Sequence, residues 1–499
     1  MATVSRLHTD LEILDEKSTA SIFEQVVDGH ALGAPDSSVR STRVWSKMDL
    51  LVLPIVTLLF FIVCLDGANI GNARIAGLQQ TLGISDEQFS IAMTVAAIPP
   101  IVFQIPINYL MITVGPHILV PMMVVLSGVS SALQGVVTTY PGFLACRFFT
   151  GLLQACLAGL IIYLACFYPR RMLQIRTSVM YCALALAPSI SGLLAAAIVR
   201  LDGLLHKSGY AWLFLLEGAA AVVFGLIGLF SMPKSPSSVF FLRESEKQFV
   251  ARALADDNVD TETSEHGRFW HEMRRVLVQP HVLLVSLSGF LADVTVSGLG
   301  VFLPSIVAGL GFEGSRAQLM VVPPFAVGAA FSLLTSLVSD RYGCRGLTIA
   351  FCATVAAVGF AIYIASEQNS IRYFSLFLAV PGSFSAFPAL ATWQSNNTAP
   401  LVRRSAAIAF GSTLTTFGSI LSVWLYGSIS APPGYTSATI TLLAFQVGIV
   451  LCALSALAYL KAENRRKKLA REEYVHQHGE RPPHGDPVSN ESIWFEYVM

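Results

Sequence analysis

Apolar residues along this chain gather into twelve runs, at about 48–68, 87–111, 117–138, 142–167, 174–199, 211–231, 281–309, 316–338, 346–365, 371–394, 405–429 and 437–460. Each is long enough to cross a bilayer as a helix, the form in which a segment in lipid pairs its own backbone N–H and C=O groups. The pattern predicts an all-α membrane protein of twelve transmembrane helices. Between the sixth and seventh runs, Pro233 to Gln279 carries Arg243-Glu244-Ser245-Glu246-Lys247 and Asp256-Asp257, a stretch too polar for lipid that predicts a surface helix. The expected organisation is a polar tail over 1–47, a six-helix bundle over 48–231, a linker over 232–279, a second six-helix bundle over 280–460 and a polar tail over 461–499.

A weak internal repeat supports two equivalent halves. Pro99-Pro100 in the second run is matched by Pro323-Pro324 in the eighth, and the turns that follow are Val114-Gly115-Pro116 and Tyr342-Gly343-Cys344. Paired prolines free backbone carbonyls and bend a helix, either for packing or because the helix must move. Six helices, a polar break and six more is a layout found among membrane transporters built from repeats.

Composition agrees: 54% of residues are hydrophobic, 13% are charged and the mean hydropathy is +0.62, so lipid must solvate much of the surface. Lys plus Arg and Asp plus Glu both total 32, which gives no case for nucleic acid as a partner. Near the helix ends, basic residues collect on one side: Arg40, Arg43, Lys47, Arg170, Arg171, Arg176, Lys234, Arg243, Arg274, Arg275, Arg341, Arg345, Arg403, Arg404 and the Lys461 to Arg471 cluster. The other side holds Arg74, Arg200, Lys207, Arg316 and Arg372. The positive-inside rule then puts both termini and the linker in the cytoplasm. No apolar run opens the chain, so no cleavable signal peptide is expected and the first helix directs insertion. The tail after Arg471 reads as a flexible extension. The eight cysteines lie in or beside apolar runs without CxxC spacing and read as packing residues.

Motifs in order along the chain narrow the class. They are Leu65-Asp66-Gly67-Ala68-Asn69-Ile70-Gly71-Asn72-Ala73, Phe103-Gln104-Ile105-Pro106-Ile107-Asn108, and Tyr168-Pro169-Arg170-Arg171 with Gln174 and Arg176. Further on come Trp212 to Gly218, Ser339-Asp340-Arg341, Trp393-Gln394-Ser395-Asn396-Asn397 and Phe495-Glu496-Tyr497. Their order and spacing from about residue 45 onward resemble the allantoate permease family of fungal anion:cation symporters, within the major facilitator superfamily. The resemblance implies the major facilitator fold and proton-coupled movement of a small organic anion, such as a carboxylate, by a monomer in the plasma membrane. Three features depart from the family: Gly67 follows Asp66 where the family has Arg, Gln104 stands for a Glu, and Ile112, Thr113 and His117 stand for basic residues. Ala187-Pro188-Ser189-Ile190-Ser191-Gly192 looks like a degenerate exporter motif, which keeps export of a fungal secondary metabolite as an alternative.

Charged groups inside hydrocarbon are costly and mark function by default. Arg147 and Glu217 each enter their helices about six residues from the outer end, roughly 9 Å deep at 1.5 Å per residue, and Asp66 lies at similar depth. Arg147 is expected to face a central cavity and bind an anionic group, or else to form a permanent ion pair with Asp66 or Glu217. Asp293, amid Ser286, Ser288, Thr295 and Ser297, is the expected coupling carboxylate of the second half, a role that suits an acid able to bind and release a proton. Asn69, Gln104, Asn108, Trp393, Asn396 and Asn397 either line the cavity or latch its inner end. Asp340, Arg341 and Arg345 resemble the superfamily's gating loop.

No GxxxxGK[ST] is present for a nucleotide pump, no HExxH or GxSxG for a hydrolase, and no His/Cys cluster with metal spacing. The chain therefore reads as no enzyme, with no cofactor and no metal. Its expected partners are a small organic solute, protons and the bilayer. A nontransporting nutrient sensor on the same fold is the remaining alternative.

Overall fold

The computed structural model describes residues 41–198, 203, 207–256, 269–312, 314–426, 430, 435–478 and 492–499. Among these residues there is no strand, and twelve helices are long and apolar enough to cross a membrane. They are α1 Ser41–Ala73, α2 Asp86–Val114, α3 Pro116–Gln134, α4 Tyr140–Phe167, α5 Leu173–Ile198 and α6 Gly209–Ser231 in the first half. The second half holds α7 Pro280–Gly309, α8 Gly314–Tyr342, α9 Arg345–Ala365, α10 Asn369–Asn396, α11 Leu401–Trp424 and α12 Thr436–His478. Leu226, Phe230, Val327, Leu334, Phe351 and Leu451 face outward and exposed, as lipid-solvated side chains should.

Packing shows the duplication that paired prolines announced. In the first half α1 packs on α5, α2 on α4 and α3 on α6; in the second α7 packs on α11, α8 on α10 and α9 on α12. Each second-half pair is the first-half pair advanced by six helices. The halves meet through α2 against α11 and α5 against α8, which that same shift exchanges. Pro99, Pro100, Pro323 and Pro324 all sit inside continuous helices.

Small residues set the closest approaches. A Cβ added at Gly151 of α4 would fall 1.8 Å from the Ala96 carbonyl oxygen of α2, and one at Gly128 of α3 would fall 2.6 Å from the Gly218 carbonyl oxygen of α6. Without a hydrophobic force between helices in lipid, such backbone contact supplies van der Waals attraction that larger side chains would forfeit.

The end of the bundle that bears Ser41, the linker and the C-terminal residues is here termed the tail end. Two linker helices dock there, Glu244–Asp256 and Phe269–Val276. Glu246 pairs with Lys47 of α1 at 2.6 Å, and Glu272 pairs with buried Arg403 of α11 at 2.5 Å. Two features depart from the sequence reading. Helix α12 does not stop near residue 460 but runs 43 residues, about 65 Å, to His478. Its Lys461–Arg471 portion is rich in Ala, Leu, Glu, Lys and Arg, strong helix formers that need no bilayer. Residues 492–499 then return to the bundle, with Phe495 and Tyr497 buried. Residues 1–40, which include Arg40 and most of the expected N-terminal tail, Arg200, and residues 479–491 lie outside the described residues.

Candidate functional site

A cavity of about 450 Å³ lies between the halves, walled by α1, α2, α4 and α5 on one side and α7, α10 and α11 on the other. Its lining is mostly apolar, with Phe60, Leu157, Val296, Phe384 and Ile420 among its walls. Among the described lining residues, none is Lys, Arg or His and one has a carboxyl group: Asp293 of α7. Its Oδ2 accepts a hydrogen bond from Ser297 Oγ, one turn on, at 3.2 Å. Gly418 of α11 presses close, so that a Cβ there would sit 3.2 Å from the Asp293 Cβ.

Neutral polar groups surround this carboxylate. Gln104 of α2 reaches the cavity while donating to the Ala155 carbonyl at 2.7 Å, where α4 passes through a short 3-10 step at Ala155–Leu157. Gln394 of α10 lines the opposite wall and donates to Ser286 Oγ at 3.2 Å and to the Ala407 carbonyl at 2.7 Å. Tyr181 of α5 spans the halves by edge contacts, 5.1 Å from the Phe60 ring and 5.5 Å from Phe387 of α10. The sequence reading missed Gln154, Tyr181 and Gln394. For Gln154 the available signal was an isolated amide in an apolar helix, and Gln394 stood within the Trp393 to Asn397 motif without being singled out.

Asp66, Arg147 and Glu217 come together, but behind the cavity wall rather than in it, because α1, α4 and α6 turn these faces into the first half. Arg147 is not among the described lining residues of the cavity; of the two placements the sequence offered, the one beside Asp66 is closer to what is seen. All three are buried. Asp66 accepts from Ser131 and, at 3.1 Å, from Gln154 Nε2, whose side chain also lines the cavity. It lies within electrostatic reach of both Arg147 and Glu217. The Arg147 guanidinium is stacked between the rings of Phe143 and Phe214, at 5.4 and 5.6 Å. Its Nε and Nη2 and both Glu217 carboxylate oxygens make no hydrogen bond. Asn69 and Asn108 are not among the described lining residues: Asn69 Oδ1 accepts from Ser191 of α5 at 2.6 Å, and Asn108 Nδ2 donates to the Gln104 carbonyl of its own helix at 2.8 Å.

At the tail end a belt of hydrogen bonds joins the halves. Asp340 Oδ2 of α8 accepts from the Ile175 N–H of α5 at 2.8 Å, and its Oδ1 from Arg345 Nη2 at 3.2 Å. Ser339 donates to Gln174 at 2.6 Å, Ser178 meets Ser336, and Arg345 Nη2 also donates to the Arg170 carbonyl. Asn396 Nδ2 donates to that same carbonyl at 3.1 Å, while Arg170 Nη2 donates to the Asn396 carbonyl. Arg341, grouped with Asp340 in the sequence, is exposed and takes no part in the described belt.

The C-terminal segment braces this belt. Val498 O accepts from Trp393 Nε1 at 2.8 Å and from Asn397 Nδ2 at 3.0 Å, and Val498 N–H donates to Asn397 Oδ1 at 2.8 Å. Met499 O accepts from the Arg345 N–H at 2.5 Å. The Phe495 ring lies under the Arg170 guanidinium at 4.7 Å, and Lys467 sits over Tyr497 at 4.4 Å. Trp393, Asn396 and Asn397 are not among the described lining residues of the cavity, and their side chains bond at this end instead.

A duplicated twelve-helix bundle with a solute-sized cavity between halves that can part is the architecture of a membrane carrier working by alternating access. The chain belongs to the Major Facilitator Superfamily, whose family model matches residues 56–286 and 285–484. It is a multi-pass secondary transporter of that type, and neither family nor fold is that of an enzyme. It is 29% identical over 472 residues to an uncharacterised transporter of Schizosaccharomyces pombe, covering 91% of this chain and 93% of that one. It is 25% identical over 491 residues to the high-affinity nicotinic acid transporter of Saccharomyces cerevisiae, with 97% and 90% covered. Among solved structures, the proton:xylose symporter XylE superposes with a TM-score of 0.66 at 17% identity, covering 82% of this chain and 95% of that one.

Proposed function

We propose that the protein is a proton-linked carrier of a small, largely apolar organic solute, with Asp293 as the group that takes up and releases the proton. The observation that carries this reading is a cavity between the halves whose described lining has one ionisable acid and no Lys, Arg or His. A buried acid beside the solute lets proton and solute binding influence each other directly. The tail-end belt is the gate: its hydrogen bonds hold that end shut and must break for the cavity to open there. With the basic tail end in the cytoplasm, the belt closes the cavity on the cytoplasmic side, in a protein of the plasma membrane.

Kinship to the nicotinic acid transporter and the resemblance to allantoate permeases favour an organic anion instead. Arg147, the cation offered by the sequence for such a solute, is not among the described lining residues. An anion about 5 Å from an ionised Asp293 would be repelled by about 3 kcal/mol at an effective dielectric of about 20. Export of an apolar metabolite fits the cavity as well as uptake does. Proteoliposomes carrying the purified chain should accumulate a solute when a pH gradient is imposed in one direction only. No gradient-driven movement across a panel of anionic, neutral and cationic ring compounds would remove the carrier reading.

A further inference from the structure

We propose that the cavity selects an apolar, ring-bearing organic cation, and that this cation and a proton occupy Asp293 in turn. The proposal rests on the reading of Asp293 as the proton-binding group and names the solute that shares it. Three features of the site converge on this class. First, the described lining has one carboxyl group and no Lys, Arg or His, so in its ionised form a cation gains a partner on entry while an anion meets repulsion. Second, the Phe60, Tyr181 and Phe387 rings run in edge contact from one half to the other beside that carboxylate. Aromatic faces attract desolvated organic cations, and walls of this kind are how proteins recognise quaternary ammonium groups. Third, about 450 Å³ accommodates a molecule of two or three rings, with Gln104 and Gln394 at the tail-end side to orient it.

Exchange follows from charge. Besides Asp293, the titratable groups of the described lining are Cys64 from α1 and Tyr181 from α5, while α2, α4, α10 and α11 contribute neutral side chains. One carboxylate can be neutralised by a proton or by a cation, but not by both. Cation binding therefore expels the proton, protonation expels the cation, and a proton gradient drives the cation the opposite way.

The test is equilibrium binding to the purified full chain in detergent, with 1-methyl-4-phenylpyridinium as cation, biphenyl-4-carboxylate as anion and 4-methylbiphenyl as neutral isostere. The expected order is cation first, by about 100-fold over the anion. Cation affinity should rise with pH by up to about tenfold per unit while Asp293 is protonated, with proton release on binding. Asp293→Asn should abolish the pH dependence, and Asp293→Glu should restore it, which separates loss of the site from loss of the fold. Tighter binding of the anion or of the neutral isostere, or cation binding indifferent to pH, overturns the proposal. Failure of all gradient-driven transport in vesicles would instead remove the underlying carrier reading, with the binding order still decided separately.

Discussion

Replacing Phe495 by Ala should loosen the tail end of the bundle by an amount the structure bounds. The ring is buried, in edge contact with Tyr497 at 5.1 Å, with Arg170 over one face at 4.7 Å and Lys467 within 5.4 Å. Truncating a buried Phe to Ala costs about 3–5 kcal/mol, set here against local undocking of residues 492–499. Only part of this reaches the gate. Arg170 belongs to the first half and Phe495 to the second, so the contact across the halves is a partly desolvated cation–π pair, worth about 1–2 kcal/mol. Loss of that contact should shift the tail-end equilibrium toward opening by roughly 5- to 30-fold. Spin labels at exposed positions 171 and 341, in a background lacking the eight native cysteines, report the distance between halves at that end. Double electron–electron resonance should show a longer population grow in Phe495→Ala. Trp494, edge-on to Tyr474 at 6.2 Å, reports undocking by its fluorescence. An unchanged distance distribution in a variant whose Trp494 has demonstrably left its site would refute the bracing role.

Two further outcomes are expected. Gly151→Ala should destabilise the first half by at least about 1–3 kcal/mol, because the new Cβ meets the Ala96 carbonyl at 1.8 Å and α2 must move; equal thermal unfolding of variant and wild type in detergent would contradict the packing account. The linker should hold less firmly in acid: hydrogen bonding to Lys47 keeps the Glu246 carboxyl below its usual range, so its stabilisation is full above the unfolded value and fades as pH falls through the lowered one. Glu246→Gln should remove that dependence at a cost of at most about 1 kcal/mol, read as protease sensitivity of the linker against pH; a wild-type pH profile in the variant would contradict the pairing.

The fold was legible because hydrocarbon imposes a length and a polarity on every crossing, and the twelve runs state both. The paired prolines even located α2 and α8 as equivalents, which the packing of the halves bears out. The site was less legible. Arg147, Asp66 and Glu217 share a depth, and depth can be counted along a helix, but which face turns to the cavity depends on packing such as Gly128 against Gly218. Asp293 and Gln104 do line the cavity. Trp393, Asn396 and Asn397 could not be placed from their own span, since Trp393 and Asn397 bond Val498, about a hundred positions on, and Asn396 bonds Arg170 in the other half. Likewise the end of α12 escaped the hydropathy pattern because charged helix in water and charged tail look alike to it.

Whether Asp293 links solute movement to protons is decided by comparing exchange with accumulation in vesicles. Proteoliposomes of wild type and Asp293→Asn are loaded with labelled solutes of each charge, and exchange at equal pH is compared with accumulation under an imposed gradient. The account predicts that the variant keeps equal-pH exchange of at least one solute and loses gradient-driven accumulation. Accumulation by Asp293→Asn equal to wild type would contradict it.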